Sequence, residues 1–224
     1  MNIGFKEKIL HFFFPTRCPV CGEFICPEEL FCEKCAGRIT PFTSEFTVKG
    51  ADGFTAAFVY DENISPAVIQ MKRGVCGNAG RALGLPLAEK LKDNGTAAAV
   101  DIIVPVPMHR SAKRERGFNQ AELIAAVIGK ELNIPVAADC AVKLRKTAAQ
   151  KELDRIHRMN NLRNAFRIVR PELVKGKTVL VVDDVCTTGS TLAELAGILR
   201  KAGAVRIFCA ASCKTPLVMQ NEQQ

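Results

Sequence analysis

VLVVDDVCTTGST, residues 179–191, is the stretch from which the rest of this chain is read. Val179 to Val182 are four consecutive apolar residues, three of them β-branched, as in a strand buried on both faces of a parallel sheet. The run gives way to Asp183-Asp184, Val185-Cys186 and a small hydroxyl-rich turn, Thr187-Thr188-Gly189-Ser190-Thr191. Leu192, Leu195, Ala196 and Leu199 then recur at helical spacing. A strand, a tight loop and a helix in that order put the loop where open α/β sheets bind ligands. Free N–H groups and the positive end of the helix dipole make it an anion cradle. Gly189 lets the backbone approach closely, and the hydroxyls of Thr187, Thr188, Ser190 and Thr191 can donate to phosphate oxygens. Two adjacent carboxylates repel a phosphate, so Asp183 and Asp184 are expected to accept from a pair of ribose hydroxyls instead. A plain turn with the acids as helix caps is the simpler alternative, but caps favour a single Asx or Ser residue. No Gly-Lys-Ser/Thr follows, which separates the motif from a Walker loop.

Position by position, these residues resemble the signature of the type I phosphoribosyltransferases, which bind phosphoribosyl pyrophosphate (PRPP). The resemblance implies an open, mostly parallel, doubly wound sheet. It also implies that Asp183 and Asp184 face the ribose, and that Thr187, Thr188, Gly189, Ser190 and Thr191 anchor the 5′-phosphate.

The chain has 224 residues, 48% of them hydrophobic, enough for one ordinary domain and a small module. Its net charge is +8, and it is localised: Pro105 to Arg170 holds 14 Lys/Arg against 6 Asp/Glu, while the other 158 residues hold 17 of each. This points to a polyanionic ligand at one site, with a solvated basic face as the rival reading. The apolar run from Ile9 to Phe14 is too short to span a membrane and lacks a secretory cleavage site. We read it as an amphipathic segment, and the protein as cytoplasmic.

Half of the ten cysteines lie between Cys18 and Cys35. Cys18-Pro-Val-Cys21 and Cys32-Glu-Lys-Cys35 are two C-x2-C knuckles whose four thiolates complete a closed tetrahedral site, so a structural Zn²⁺ is expected. Cys26 either replaces one of the four or is a spare thiol in the loop. A disulfide framework is disfavoured because nothing suggests an oxidising compartment. The scattered cysteines (76, 140, 186, 209 and 213) sit in apolar contexts and read as core.

Residues 40–53 form a connector, with the N-terminal segment and ribbon at 1–45 and the larger domain at 50–218. Phe54 to Tyr60 reads as a strand, Ile64 to Lys72 as a helix, Gly80 to Leu91 as a helix despite Pro86, and Asp101 to Pro107 as a second buried strand. From Asn119 a further helix begins, and Val205 to Ser212 is the final strand. Met71-Lys72-Arg73-Gly74 resembles the pyrophosphate loop of purine-salvage phosphoribosyltransferases, with Arg73 in place of a Gly. A Lys and an Arg beside a Gly also suit a diphosphate chemically.

PVP at 105–107, RGFNQAELIA at 116–125 and the ribbon, with MKRG and VLVVDDVCTTGST in the same order, resemble the ComF family of competence-associated, phosphoribosyltransferase-like proteins. The polar segment from Lys143 through Arg145, Thr147, Gln150, Arg158 and Asn161 to Phe166 resembles that family's pattern. It occupies the place of the loop that closes over PRPP in amidophosphoribosyltransferases. The resemblance implies Mg²⁺-PRPP as ligand, with Lys72 and Arg73 on the pyrophosphate, and Arg145, Asp183 and Asp184 as catalytic candidates. Transfer to an acceptor in DNA uptake is the expected function. The alternative is a PRPP- or nucleotide-binding module that contacts single-stranded DNA or a helicase partner. One Tyr and no Trp argue mildly against direct base stacking.

Overall fold

The computed structural model describes residues 15–74, 77–145 and 165–216. Its centre is a four-stranded parallel sheet in the order β1-β6-β5-β2, with β1 at Gly53–Val59, β2 at Ile102–Pro105, β5 at Thr178–Cys186 and β6 at Arg206–Lys214. Side chains alternate along β5, as the pleat requires. Val179 and Val181 join Leu192, Leu195 and Leu199 of α7 (Ser190–Lys201) in one core. Leu180 and Val182 join the opposite core, built from α2 (Ser65–Arg73), α3 (Ala79–Asp93) and α6 (Gln120–Leu132). The sheet is therefore covered on both faces, which explains the unbroken apolar run in its central strand.

The structure extends two sequence expectations. β5 does not stop at Val182 but continues through both aspartates to Cys186, because Asp183 and Val185 stay in register with Ala211 and Cys213 of β6. The final strand runs past Ser212 to Lys214, whose side chain is buried. Pro86 is tolerated inside α3.

The connector is docked. Pro41 pairs antiparallel with Phe58 at the free edge of β1, while Phe46 and Val48 pack into the α7-side core. A short antiparallel pair, β3 (Ala141–Lys143) with β4 (Phe166–Ile168), brackets residues 146–164, so much of the polar segment read above lies outside the described residues. Three short helices complete the assignment, α1 (Glu33–Ala36), α4 (Thr96–Ala99) and α5 (Arg110–Arg116). Among the described residues no helix is long and apolar enough to cross a membrane.

Candidate functional site

The carboxyl ends of β5 and β2 open onto a cleft of about 220 Å³. Alternation along β5 separates the twin acids. Asp184 lies on the α2 side and pairs with Lys72 Nζ at 3.0 Å. Asp183 faces the field of Lys143 on β3. Burial, and then the charge of Asp184, push the Asp183 carboxyl well above the usual carboxylate range, with Lys72 pulling the other way. Burial in turn lowers the Lys143 ammonium, and Asp183 opposes that shift.

The opposite wall is made by the end of β2 and the start of α6. Asn119 caps α6 by accepting from Ala121 N–H at 3.2 Å, and its amide donates to the Val106 carbonyl at 2.9 Å. This buried residue ties helix to strand end. Beside it, Gln120 Oε1 accepts from Arg116 Nη1 at 2.8 Å, which leaves its buried Nε2 without a partner among the described residues. A buried amide donor of this kind costs about 1–3 kcal/mol until an acceptor reaches it.

Of the residues singled out from sequence, Lys72, Asp183, Asp184 and Thr191 line this cleft. Thr187 to Ser190 continue from it as the turn into α7: Thr187 and Thr188 are exposed, and the Thr188 and Ser190 hydroxyls lie 2.9 Å apart. Gly189 holds the turn with φ +78, and a Cβ there would stand 3.2 Å from the Phe46 ring. Gly189→Ala should therefore cost about 1–2 kcal/mol in denaturant titrations, from the left-handed backbone and the crowded ring together. An unchanged midpoint would show that the turn relaxes freely. Arg73 is exposed and does not line the cleft, and neither does Arg145, two residues beyond Lys143.

Sequence reading missed Arg116, Gln120 and Lys143 as cleft residues. The available signals were the basic segment before α6 and the RGFNQ motif. A larger cavity of about 370 Å³ lies under the connector at Phe42, Phe54 and Lys90. Its half-buried cation is already engaged, because Lys90 Nζ donates to the carbonyls of Phe42 and Ala56.

At the other end of the chain, the thiols of Cys18, Cys21, Cys32 and Cys35 all lie within 4.8 Å of one another. Cys21 Sγ and Cys32 Sγ are 3.6 Å apart, close to the edge of about 3.8 Å expected for a tetrahedron of sulfurs bonded to zinc at about 2.3 Å. The four-thiol set fits a structural Zn²⁺. Cys26 stands outside it, exposed, with its backbone N–H donating to Glu29. Phe31 of this module packs edge-on against Phe58 of β1, and Arg81 and Asn78 donate to the carbonyls of Pro27, Glu28 and Leu30. The ribbon is thus fastened to the start of α3. The scattered cysteines 140, 186, 209 and 213 are buried, and burial pushes Cys140 to about 11 and Cys186 to about 12, as inert core thiols.

Comparison with known proteins agrees with both halves. Residues 116–218 match the phosphoribosyl transferase domain family, and residues 9–48 match the double zinc ribbon domain. The DNA utilization protein YhgH of Escherichia coli (strain K12) is 34% identical over 203 residues, covering 89% of this chain and 85% of that protein. Competence protein F of Haemophilus influenzae is 37% identical over 108 residues, 48% of this chain and 47% of its own. Among solved structures, an adenine phosphoribosyltransferase from Saccharomyces cerevisiae aligns with a TM-score of 0.43 at 14% identity, over 63% of this chain and 72% of that one. A ribbon with four converging thiols, a parallel sheet ending in twin aspartates, and a YhgH-like sequence along most of its length place this chain in the ComF family, with a type I phosphoribosyltransferase fold behind a zinc ribbon.

Proposed function

We propose that the cleft binds Mg²⁺-PRPP and transfers its phosphoribosyl group to an acceptor, in the competence and DNA-utilization setting that the relatives' names carry. One observation supports this most directly. A pair of carboxylates on β5, three cationic side chains and Thr191 from the hydroxyl-rich start of α7 line the same small cleft.

In this reading Asp183 and Asp184 accept from the ribose hydroxyls and favour the positive charge that develops on the ring as the C1–O bond breaks. Thr187, Thr188, Gly189, Ser190 and Thr191 hold the 5′-phosphate with backbone N–H and hydroxyl donors. Lys72, Arg116 and Lys143 take the pyrophosphate, and the free Gln120 amide donates to one of its oxygens. Arg73 and Arg145, outside the lining, are left to the rim. Mg²⁺, when it enters with the diphosphate, neutralises charge on the leaving group. The test is pyrophosphate release from PRPP with a panel of bases, ammonia and DNA. Release dependent on one acceptor supports transfer. PRPP binding with no release for any acceptor supports a binding module instead.

A second reading is favoured by α5. Arg110, Lys113, Arg114 and Arg116 crowd this short helix, and none of its residues is buried. Such a surface suits the phosphates of single-stranded DNA. Its affinity for an oligonucleotide should fall steeply with salt, roughly in proportion to the phosphates contacted. A salt-independent affinity would remove this reading.

A further inference from the structure

The last strand ends on a lysine that lies outside the cleft. Lys214 is 1% exposed. Its Nζ donates to the Thr187 carbonyl at 2.9 Å and to the Thr215 carbonyl at 2.7 Å, and sits 4.2 Å from the centroid of the Phe46 ring. Each ion pair among the described residues belongs to another cation. Burial accordingly lowers this ammonium. Two carbonyls and a ring face soften the loss of water, but among the described residues no counter-charge pairs with this ammonium, and a buried charge without one is costly.

That charge lies directly behind the hydroxyl turn. The β5–β6 register sets Lys214 beside Cys186, the residue from which the turn departs, and Thr187 is the first residue of the turn itself. Phe46 touches the same turn from the connector, at the position a Gly189 Cβ would need. One ammonium and one ring therefore hold both ends of the Thr187–Gly189 backbone.

We propose that Lys214 is a positioning residue for a phosphate monoester: its fixed charge and its grip on the Thr187 carbonyl, clamped by Phe46, hold the turn in its anion-binding form. The proposal rests on reading the cleft as a PRPP site. It adds a residue that touches no substrate, and it gives the docked connector a role in binding.

Calorimetric titrations of Mg²⁺-PRPP, ribose 5-phosphate and inorganic pyrophosphate into wild type, Lys214→Met and Phe46→Leu test it. Lys214→Met keeps the shape and removes the charge. It should weaken PRPP and ribose 5-phosphate about tenfold or more, and Phe46→Leu should weaken both by about threefold, while pyrophosphate binds all three proteins alike. A purely structural lysine would weaken pyrophosphate in step, and that outcome overturns the proposal. Equal affinity of wild type and Lys214→Met for ribose 5-phosphate overturns it too. If Lys214→Met does not fold, Phe46→Leu carries the test, and the proposal falls if that variant loses no ribose 5-phosphate affinity relative to pyrophosphate. Wild type that binds neither sugar phosphate ends the reading of the cleft and this proposal together. Wild-type binding with an indifferent Lys214 ends the proposal alone.

Discussion

Replacing Asp183 and Asp184 together by Asn should abolish Mg²⁺-PRPP binding, a loss on the order of 100-fold or more in calorimetry. Each amide keeps the shape of the carboxylate but turns one acceptor into a donor and removes the charge proposed to face the ribose. Lys72 also loses its 3.0 Å partner. Undiminished affinity in the double variant would remove the acids from the site.

Asp183 should have the opposite effect on stability. Asp183 has a folded-state affinity for its proton raised by burial and by Asp184. Below the ordinary carboxylate range the folded and unfolded states both hold that proton, and the group makes no difference. As pH rises through that range the unfolded chain releases the proton while the folded chain resists, so stability is lost up to the raised folded value. Asp183→Asn has no such slope. At about pH 7.5 its unliganded Tm should exceed that of wild type by a few degrees, and at about pH 4 the two should coincide. Binding of a ligand that needs the carboxylate should strengthen with pH over the same window. A variant less stable than wild type at neutral pH would show that Lys72 and Lys143 already compensate the buried charge.

Removing the ribbon's metal should have the second large effect. Structural zinc contributes about 10–16 kcal/mol of binding free energy in zinc-finger peptides, more than the small core of Ile25, Val20 and Phe31 can supply. A chelator, or Cys35→Ser, should therefore unfold the whole module and open it to protease. Purified wild type should carry about one zinc per chain. Because Phe31 packs on Phe58, and Asn78 and Arg81 hold ribbon carbonyls, the larger domain should lose several degrees of Tm as well. Unchanged protease fragments after chelation would show that the four thiols hold the module without metal.

The chain spells out its local patterns clearly. The apolar run of β5, the acids after it, the small turn and the amphipathic α7 are contiguous, so the fold and three of the cleft residues, Asp183, Asp184 and Thr191, can be read from one short stretch. The same holds for the two C-x2-C knuckles, where short spacing brings each pair of thiols together. Spacing does not reveal direction, so sequence does not settle Cys26, and only the folded module sets it apart from the other four.

Non-local pairing decided the remainder. Lys143 reaches the cleft because β3 pairs with β4 across residues 146–164, a contact with no local signature. Gln120 Nε2 is buried and unmet among the described residues where Asn119 fixes the start of α6 against Val106. Lys214 lies beyond the strand read from sequence, and in the fold it is buried with the Phe46 ring against it. Asp183 and Asp184 are adjacent in the chain, yet the pleat sends one toward α2 and the other toward β3, and which cations stand there depends on which helices cover each face. Periodicity is a property of neighbouring residues and survives in the sequence, whereas charge environment depends on residues brought together from distant segments and exists only after folding.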